Sequence, residues 1–235
     1  MSPSATASKA GLREARFPWM TVLLCLGCLV CSVLFAVLEP HQQRVVIEAV
    51  GANPSRLSEL LAGVATSGWS VLFLSLFFHS SWLHLVGNLV YLWVFGLPVE
   101  GKTGPLGLAG VFFAGGALAH LVLGLQLPGF DGFVIGASGA VSAVVGACAG
   151  LFPTRRIGLF LPLGLVVESV QLPTLLVVGS WFLLQLLYAL VDPTFGAMAW
   201  WTHLAGFVLG LVFALLARAV AAATAGRRRS WVSRD

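Results

Sequence analysis

Residues 136–150 read GASGAVSAVVGACAG, a run with no leucine, no aromatic and no charge. Ser138, Ser142, Gly146 and Gly150 recur every four residues, so a helix carries them as one stripe of small side chains. Such small-xxx-small stripes let two helix backbones approach closely, which marks the buried centre of a membrane bundle. The same stretch opens on a hydroxyl, Ser138, in surroundings that have little use for one. Packing, interhelical hydrogen bonding and nucleophilic chemistry are its three possible roles, and the rest of the chain discriminates among them.

The 235 residues are 58% hydrophobic and only 9% charged, which places most of the chain in lipid. A net charge of +4 suggests nucleic acid only where basic residues share a face with aromatics, and here they sit in short juxtamembrane clusters. Nucleic acid is therefore excluded as a partner. Cys25, Cys28 and Cys31 lie in one apolar run and Cys148 in another. No histidine or carboxylate joins the three in their segment, so they read as small hydrophobes, not as a disulfide framework or a metal site.

A spanning helix needs roughly 20 apolar residues, fewer when it is short and buried. Six stretches qualify: 18–38, 82–98, 105–126, 136–152, 173–191 and 200–222. The expected fold is an all-α, polytopic bundle of six transmembrane helices, with a long loop between the first and second. Residues 1–16 form an N-terminal tail, 17–222 the membrane domain and 223–235 a basic C-terminal tail. The first span lacks a small-x-small cleavage site at AVLEP and reads as an anchor. IGLFLPLGLVV, at 157–167, is too short to cross and is expected to be an interfacial or re-entrant connector.

Six spans with a cytoplasmic N-terminus put all but Arg44 and Arg56 of the 13 lysines and arginines on the cytoplasmic side. A seventh crossing would move the Arg227–Arg229 triplet outside. The loop 39–81 then lies on the outer side, where its apolar VLFLSLFF segment, between Trp69 and Trp82, should pack sideways against the bundle. Spans three and five, rich in Leu, Val and Phe, are expected to face lipid.

With that topology, spans two, four and six all begin at the outer face. His84 and Asn88 fall in the first turns of span two, Ser138 in the first turn of span four, and His203 in the first turns of span six. Singly, each has a plain structural explanation: packing for the serine, an interfacial site for a histidine, a bonded i, i+4 pair for His84 and Asn88. Together they put four costly polar side chains at one depth, which indicates a shared interior cavity. Gly206 and Gly210 follow His203 by one and two turns and offer span four a close approach.

A serine hydroxyl needs a base to become a nucleophile, and histidine suits that task near neutral pH. Acyl transfer also needs donors where the oxyanion develops. The Ser138 N–H at a helix start is one, and His84 and Asn88 are further candidates. Asp131 and Asp192 lie in loops, neither clearly set to orient His203, so the pattern is a Ser–His dyad. The soluble serine-hydrolase elbow fits poorly, because Ala140 stands where glycine is needed. A proton-relay transporter would carry polar residues down to the other half of the bundle, and those halves are apolar or glycine-rich.

These residues resemble the rhomboid family of intramembrane serine proteases. The motifs are H-x-x-x-N at His84–Asn88 with His79 upstream, G-x-S-G at Gly136–Gly139, and H-x-x-G-x-x-x-G at His203–Gly210. They follow the family order, and the resemblance covers residues 40–215. It implies Ser138 as nucleophile, His203 as general base and acid, and His84 with Asn88 completing the oxyanion hole. Gly136, Gly139, Gly206 and Gly210 would support helix packing. The implied activity is cleavage of peptide bonds in or beside transmembrane segments, with no metal or cofactor. Its partners are single-span or polytopic membrane-protein substrates in the lipid bilayer, and the fifth span and a loop cap gate their entry. The implied location is a bacterial inner (plasma) membrane, with both termini cytoplasmic and the site opening outward.

Two positions depart from the family. Ser142 stands where some members carry an aromatic that stacks on the base, and Trp69-Ser70 replaces a Trp-Arg pair in the first outer loop. The alternative within the same family is an inactive, client-binding relative. Such members lack the serine or the histidine, and this chain has both.

Overall fold

The computed structural model describes residues 17–63, 68–163, 166–191 and 195–232. It is an all-α polytopic membrane architecture. The apolar helices are α1 (Trp19–Ala36), α5 (Trp82–Thr103), α6 (Pro105–Gln126), α7 (Ser138–Leu151), α8 (Thr174–Val191) and α9 (Phe195–Val232). Between α1 and α5 lie the shorter α2 (Pro40–Val50), α3 (Pro54–Leu61) and α4 (Val71–Leu74), then a 3₁₀ turn at Ser75–Phe77. Among the described residues, α1, α5, α6 and Trp200–Thr224 of α9 are long and apolar enough to cross a membrane.

At 14 residues, α7 is about 21 Å long at 1.5 Å per residue, short for a crossing. Its length suits its place, because every residue from Gly139 to Gly150 is buried. The small-residue stripe packs on α9. A Cβ on Gly146 would collide with the Phe207 carbonyl, and one on Gly150 would come within 2.6 Å of the Ala214 Cβ. The reciprocal glycines are as tight: a Cβ on Gly206 would strike the Gly139 carbonyl, and one on Gly210 the Ala143 carbonyl. With no side chain between them, the two backbones touch.

Span three departs in part from expectation. Leu108, Val111, Phe112, Ala119, His120 and Leu123 of α6 are buried while Leu106, Leu118 and Leu125 are exposed, so one face of this helix packs inside the bundle and the other faces outward. Its glycines explain why: Gly115 abuts Ala143 of α7, and Gly124 abuts Leu57 of α3. Hydropathy alone does not separate a helix buried in protein from one buried in lipid. The other expectation of this kind is met by α8, whose Leu175, Leu176, Leu183, Leu187 and Leu190 are exposed.

The connector at 157–167 takes a conformation that its apolar run did not specify. It belongs to an antiparallel hairpin of β1 (Arg156–Leu163) and β2 (Val166–Pro173), paired from Arg156↔Pro173 to Leu163↔Val166. The strands satisfy each other's backbone groups, which a re-entrant coil in lipid could not do. The final helix runs on to Val232, past the expected end of span six, while the tail residues 1–16 and 233–235 lie outside the described residues.

The long first loop packs against the bundle as expected. Leu57 and Leu60 of α3 and Leu72 of α4 join Ala117 of α6 in a small apolar cluster, and Ala52 forms a β-bridge with Val134. The four cysteines are free.

One buried acid lies at the end of the bundle opposite Ser138. Pro18 leaves α1 without a side-chain cap, and Glu100 of α5 supplies it from another helix. Its carboxylate accepts from the Met20 and Thr21 backbone N–H groups at 2.9 and 2.8 Å and from Thr21 Oγ1 at 2.7 Å. Glu100→Ala leaves these donors without a partner and should destabilise the fold by about 2–4 kcal/mol, whereas Glu100→Gln, which keeps an acceptor, should cost less. Equilibrium unfolding in micelles checks the order; equal losses for both substitutions would rule out the trans-cap.

Candidate active site

Ser138 begins α7, and the chain reaches it through Gly136, whose φ of +130° favours glycine. A Cβ there would lie 2.6 Å from His84 Cε1, so the His84 ring rests on the bare backbone just before the serine. Two further bonds hold this approach: Gly136 N–H donates to the Ser75 carbonyl at 2.9 Å, and Ala137 N–H donates to His79 Nε2 at 3.3 Å. Because His79 Nε2 accepts, its proton sits on Nδ1, which faces Ser32 Oγ at 3.0 Å; Ser32 Oγ in turn donates to the Phe77 carbonyl at 3.3 Å. Burial first, and His84 second, push the His79 imidazole down to about 4, against a raising bond at Phe77. His79, in the connector before α5, is thus a neutral strut under the serine's backbone.

On α5, Ser81 caps the helix by accepting from His84 N–H at 3.2 Å. Asn88 is buried and donates one amide hydrogen to the His84 carbonyl at 3.0 Å, which leaves its second amide hydrogen for another acceptor. The His84 ring meets that of His79 edge-on, with centroids 5.1 Å apart. On α9, His203 is 9% exposed and sits one turn before Gly206, where α7 and α9 are in backbone contact.

Ser138, His203, His84 and Asn88 line one cavity of about 280 Å³, completed by Tyr91, Ser142, Trp181 and Gln185 among others. The sequence-expected residues from α5, α7 and α9 are therefore brought together. Among the expected packing glycines, Gly139 abuts Thr202, while Gly136, Gly206 and Gly210 make the approaches given above. The lining of the cavity comes from α5, α7, α8 and α9. A larger cavity of about 640 Å³, lined by Trp93, Leu97, Lys102, Phe152 and Arg155, pairs no hydroxyl nucleophile with a base.

Asp131 is elsewhere, accepting from Asn53 Nδ2 at 2.8 Å in the loop region, and Asp192 lies outside the described residues. Two residues that sequence analysis passed over touch His203 instead, both from α8. Gln185 Oε1 lies 2.7 Å from His203 Nδ1, and the Trp181 ring stands 5.8 Å from the imidazole, centroid to centroid. Trp181 thus packs beside the imidazole, while the Ser142 hydroxyl turns back to the Ser138 carbonyl at 2.6 Å. The available signal was their spacing, a tryptophan and a glutamine four apart on one face of an apolar helix.

A bundle of apolar helices with a serine, two histidines and an asparagine around one interior cavity defines a polytopic membrane protein with an intramembrane polar site. The family model for the rhomboid domain matches residues 65–220, and the chain belongs to that family. It is 35% identical over 146 residues to the rhomboid protease GlpG of Serratia proteamaculans, a match covering 59% of this chain and 44% of that protein. It is also 30% identical over 127 residues to the human presenilin-associated rhomboid-like protein, mitochondrial, covering 53% of this chain and 31% of that protein. The matches thus span less than half the length of these relatives.

Proposed function

We propose that this protein is an intramembrane serine endopeptidase that cuts transmembrane segments of other membrane proteins through a Ser138–His203 dyad. The observation that carries the proposal is the single cavity lined by Ser138, His203, His84 and Asn88 from three helices. Family membership and the likeness to a rhomboid protease support it.

In this mechanism His203 takes the Ser138 proton as Oγ attacks the scissile carbonyl, then passes it to the leaving amine. A water, deprotonated by His203, hydrolyses the acyl-enzyme and regenerates the serine. The oxyanion gathers the Ser138 N–H, which is a first-turn helix donor without an intrahelical acceptor, together with the Asn88 amide and the His84 ring. The α5–α8 seam is the entry for a locally unwound substrate segment, since a peptide bond inside a helix is out of a nucleophile's reach. Residues 17–222 form the catalytic membrane domain. The 1–16 and 223–235 tails face the cytoplasm and the site opens to the opposite side of a bacterial inner membrane.

The test is incubation of purified protein in liposomes with a panel of single-span membrane proteins, with the cut mapped by mass spectrometry. Cleavage within or beside the span, lost in His203→Ala, is the expected result. No cleavage of any substrate, or undiminished cleavage by His203→Ala, would overturn the proposal. Asn88→Ala and His84→Ala should each lower kcat by about 10²–10³-fold, the usual effect of losing one oxyanion donor, and progress curves on one cleaved substrate measure it.

A further inference from the structure

We propose that Gln185 is the positioning residue of the dyad, holding His203 in the one tautomer that can act as base; this rests on the function proposed above. The physical problem is that an imidazole facing serine has two neutral forms, and only the form with a lone pair on the nitrogen nearest the serine can take its proton. In the soluble triads a carboxylate on the other nitrogen selects that form. Among the described residues no carboxylate lines the cavity, and the group 2.7 Å from His203 Nδ1 is the Gln185 amide oxygen. An amide oxygen accepts and cannot donate, so the proton belongs on Nδ1 and the lone pair on Nε2, the nitrogen left for Ser138.

The placement is not a generic polar contact. Gln185 stands within WFLLQLL, among leucines that face outward, where an amide without a partner is costly. Trp181, one turn earlier on the same helix face, packs on the imidazole, so one element bonds the ring's Nδ1 and covers its side. An uncharged acceptor also suits the medium, since a carboxylate within the bundle would carry a large desolvation cost. Among the described residues, the titratable groups that face His203 across the cavity are His84 and Tyr91, both from α5.

The experiment compares wild type, Gln185→Leu and Gln185→Glu by the pH profile of kcat/KM on one cleaved substrate, and by ¹⁵N NMR of histidine-labelled protein, with the His203 ring assigned by difference against His203→Gln. In wild type at neutral pH, His203 should show a protonated Nδ1 and a bare Nε2. Gln185→Leu should lose that tautomer preference and lower kcat about 10- to 100-fold with little change in KM, as for other orienting partners of a histidine. Gln185→Glu, whose ionised carboxylate accepts and cannot donate, should keep the tautomer and retain activity near neutral pH. Its carboxylate favours the imidazolium, so its acidic limb should move to higher pH. Were the glutamine instead donating its NH₂ group, Gln185→Glu would fail as badly as Gln185→Leu. That result, a wild-type ring protonated on Nε2, or unaltered kinetics in Gln185→Leu overturns the proposal. The ring's tautomer is read without turnover, so a protein that cleaves nothing defeats the protease assignment while the glutamine's role is still judged by NMR.

Discussion

Ser138→Ala protein should take up no label from a serine-directed phosphonate in membranes that label the wild type, and its peptidase rate should fall by about 10⁴-fold or more. The magnitude follows from the lack of any substitute. Among the described residues the other hydroxyls lining the cavity are those of Ser142, engaged with the Ser138 carbonyl, and Tyr91, a phenol on α5. Losing the nucleophile removes the covalent route entirely, leaving only what the oxyanion donors and substrate positioning supply. The fold should be untouched, because Ser138 is only half-buried at the first position of α7 and the backbone before it is held by His79 and Ser75. Unchanged thermal unfolding in micelles therefore accompanies the loss of labelling. Equal labelling of Ser138→Ala and wild type would place the reactive hydroxyl elsewhere and remove the serine-protease assignment.

The second large effect comes from a residue that touches no substrate. Gly206→Val puts a branched side chain where even a Cβ would run into the Gly139 carbonyl, and backbone cannot swing aside as a flexible side chain can. The α7 and α9 backbones must separate, at a cost of about 1–3 kcal/mol or more in stability. Activity should suffer further, because the helices that separate carry Ser138 and His203. Misplacing reacting groups by about 1 Å is enough to cost 10²-fold, so a loss of at least that size in kcat/KM is expected with both groups still present. Gly110→Ala and Gly179→Ala are the controls: both glycines are helical with open space at the Cβ position, and both substitutions should leave activity intact. If Gly206→Val proved as active as these controls, the close α7–α9 approach would not be what positions the pair.

Much of this arrangement is legible along the chain because its signals are local. Hydropathy over about 20 residues marks a crossing helix, and four-residue spacing marks a shared face. Those two rules suffice to single out His84 with Asn88, Ser138 and His203, which line one cavity, and to turn the 138–150 stripe toward the glycines of α9. The rules do not show which apolar face of α6 meets protein, and they miss the hairpin, whose strands are paired across a connector too short to span.

By itself, then, the amino-acid sequence determined that the chain is a polytopic helical membrane protein, which helix sits at the bundle's heart, and which polar side chains share a cavity. Only the tertiary structure decided what touches the imidazole. Gln185 and Trp181 sit in an ordinary apolar helix, and their partner depends on how α8 is rotated and packed against α9. That rotation is set by contacts between side chains far apart along the chain, so no spacing rule within one helix reports it.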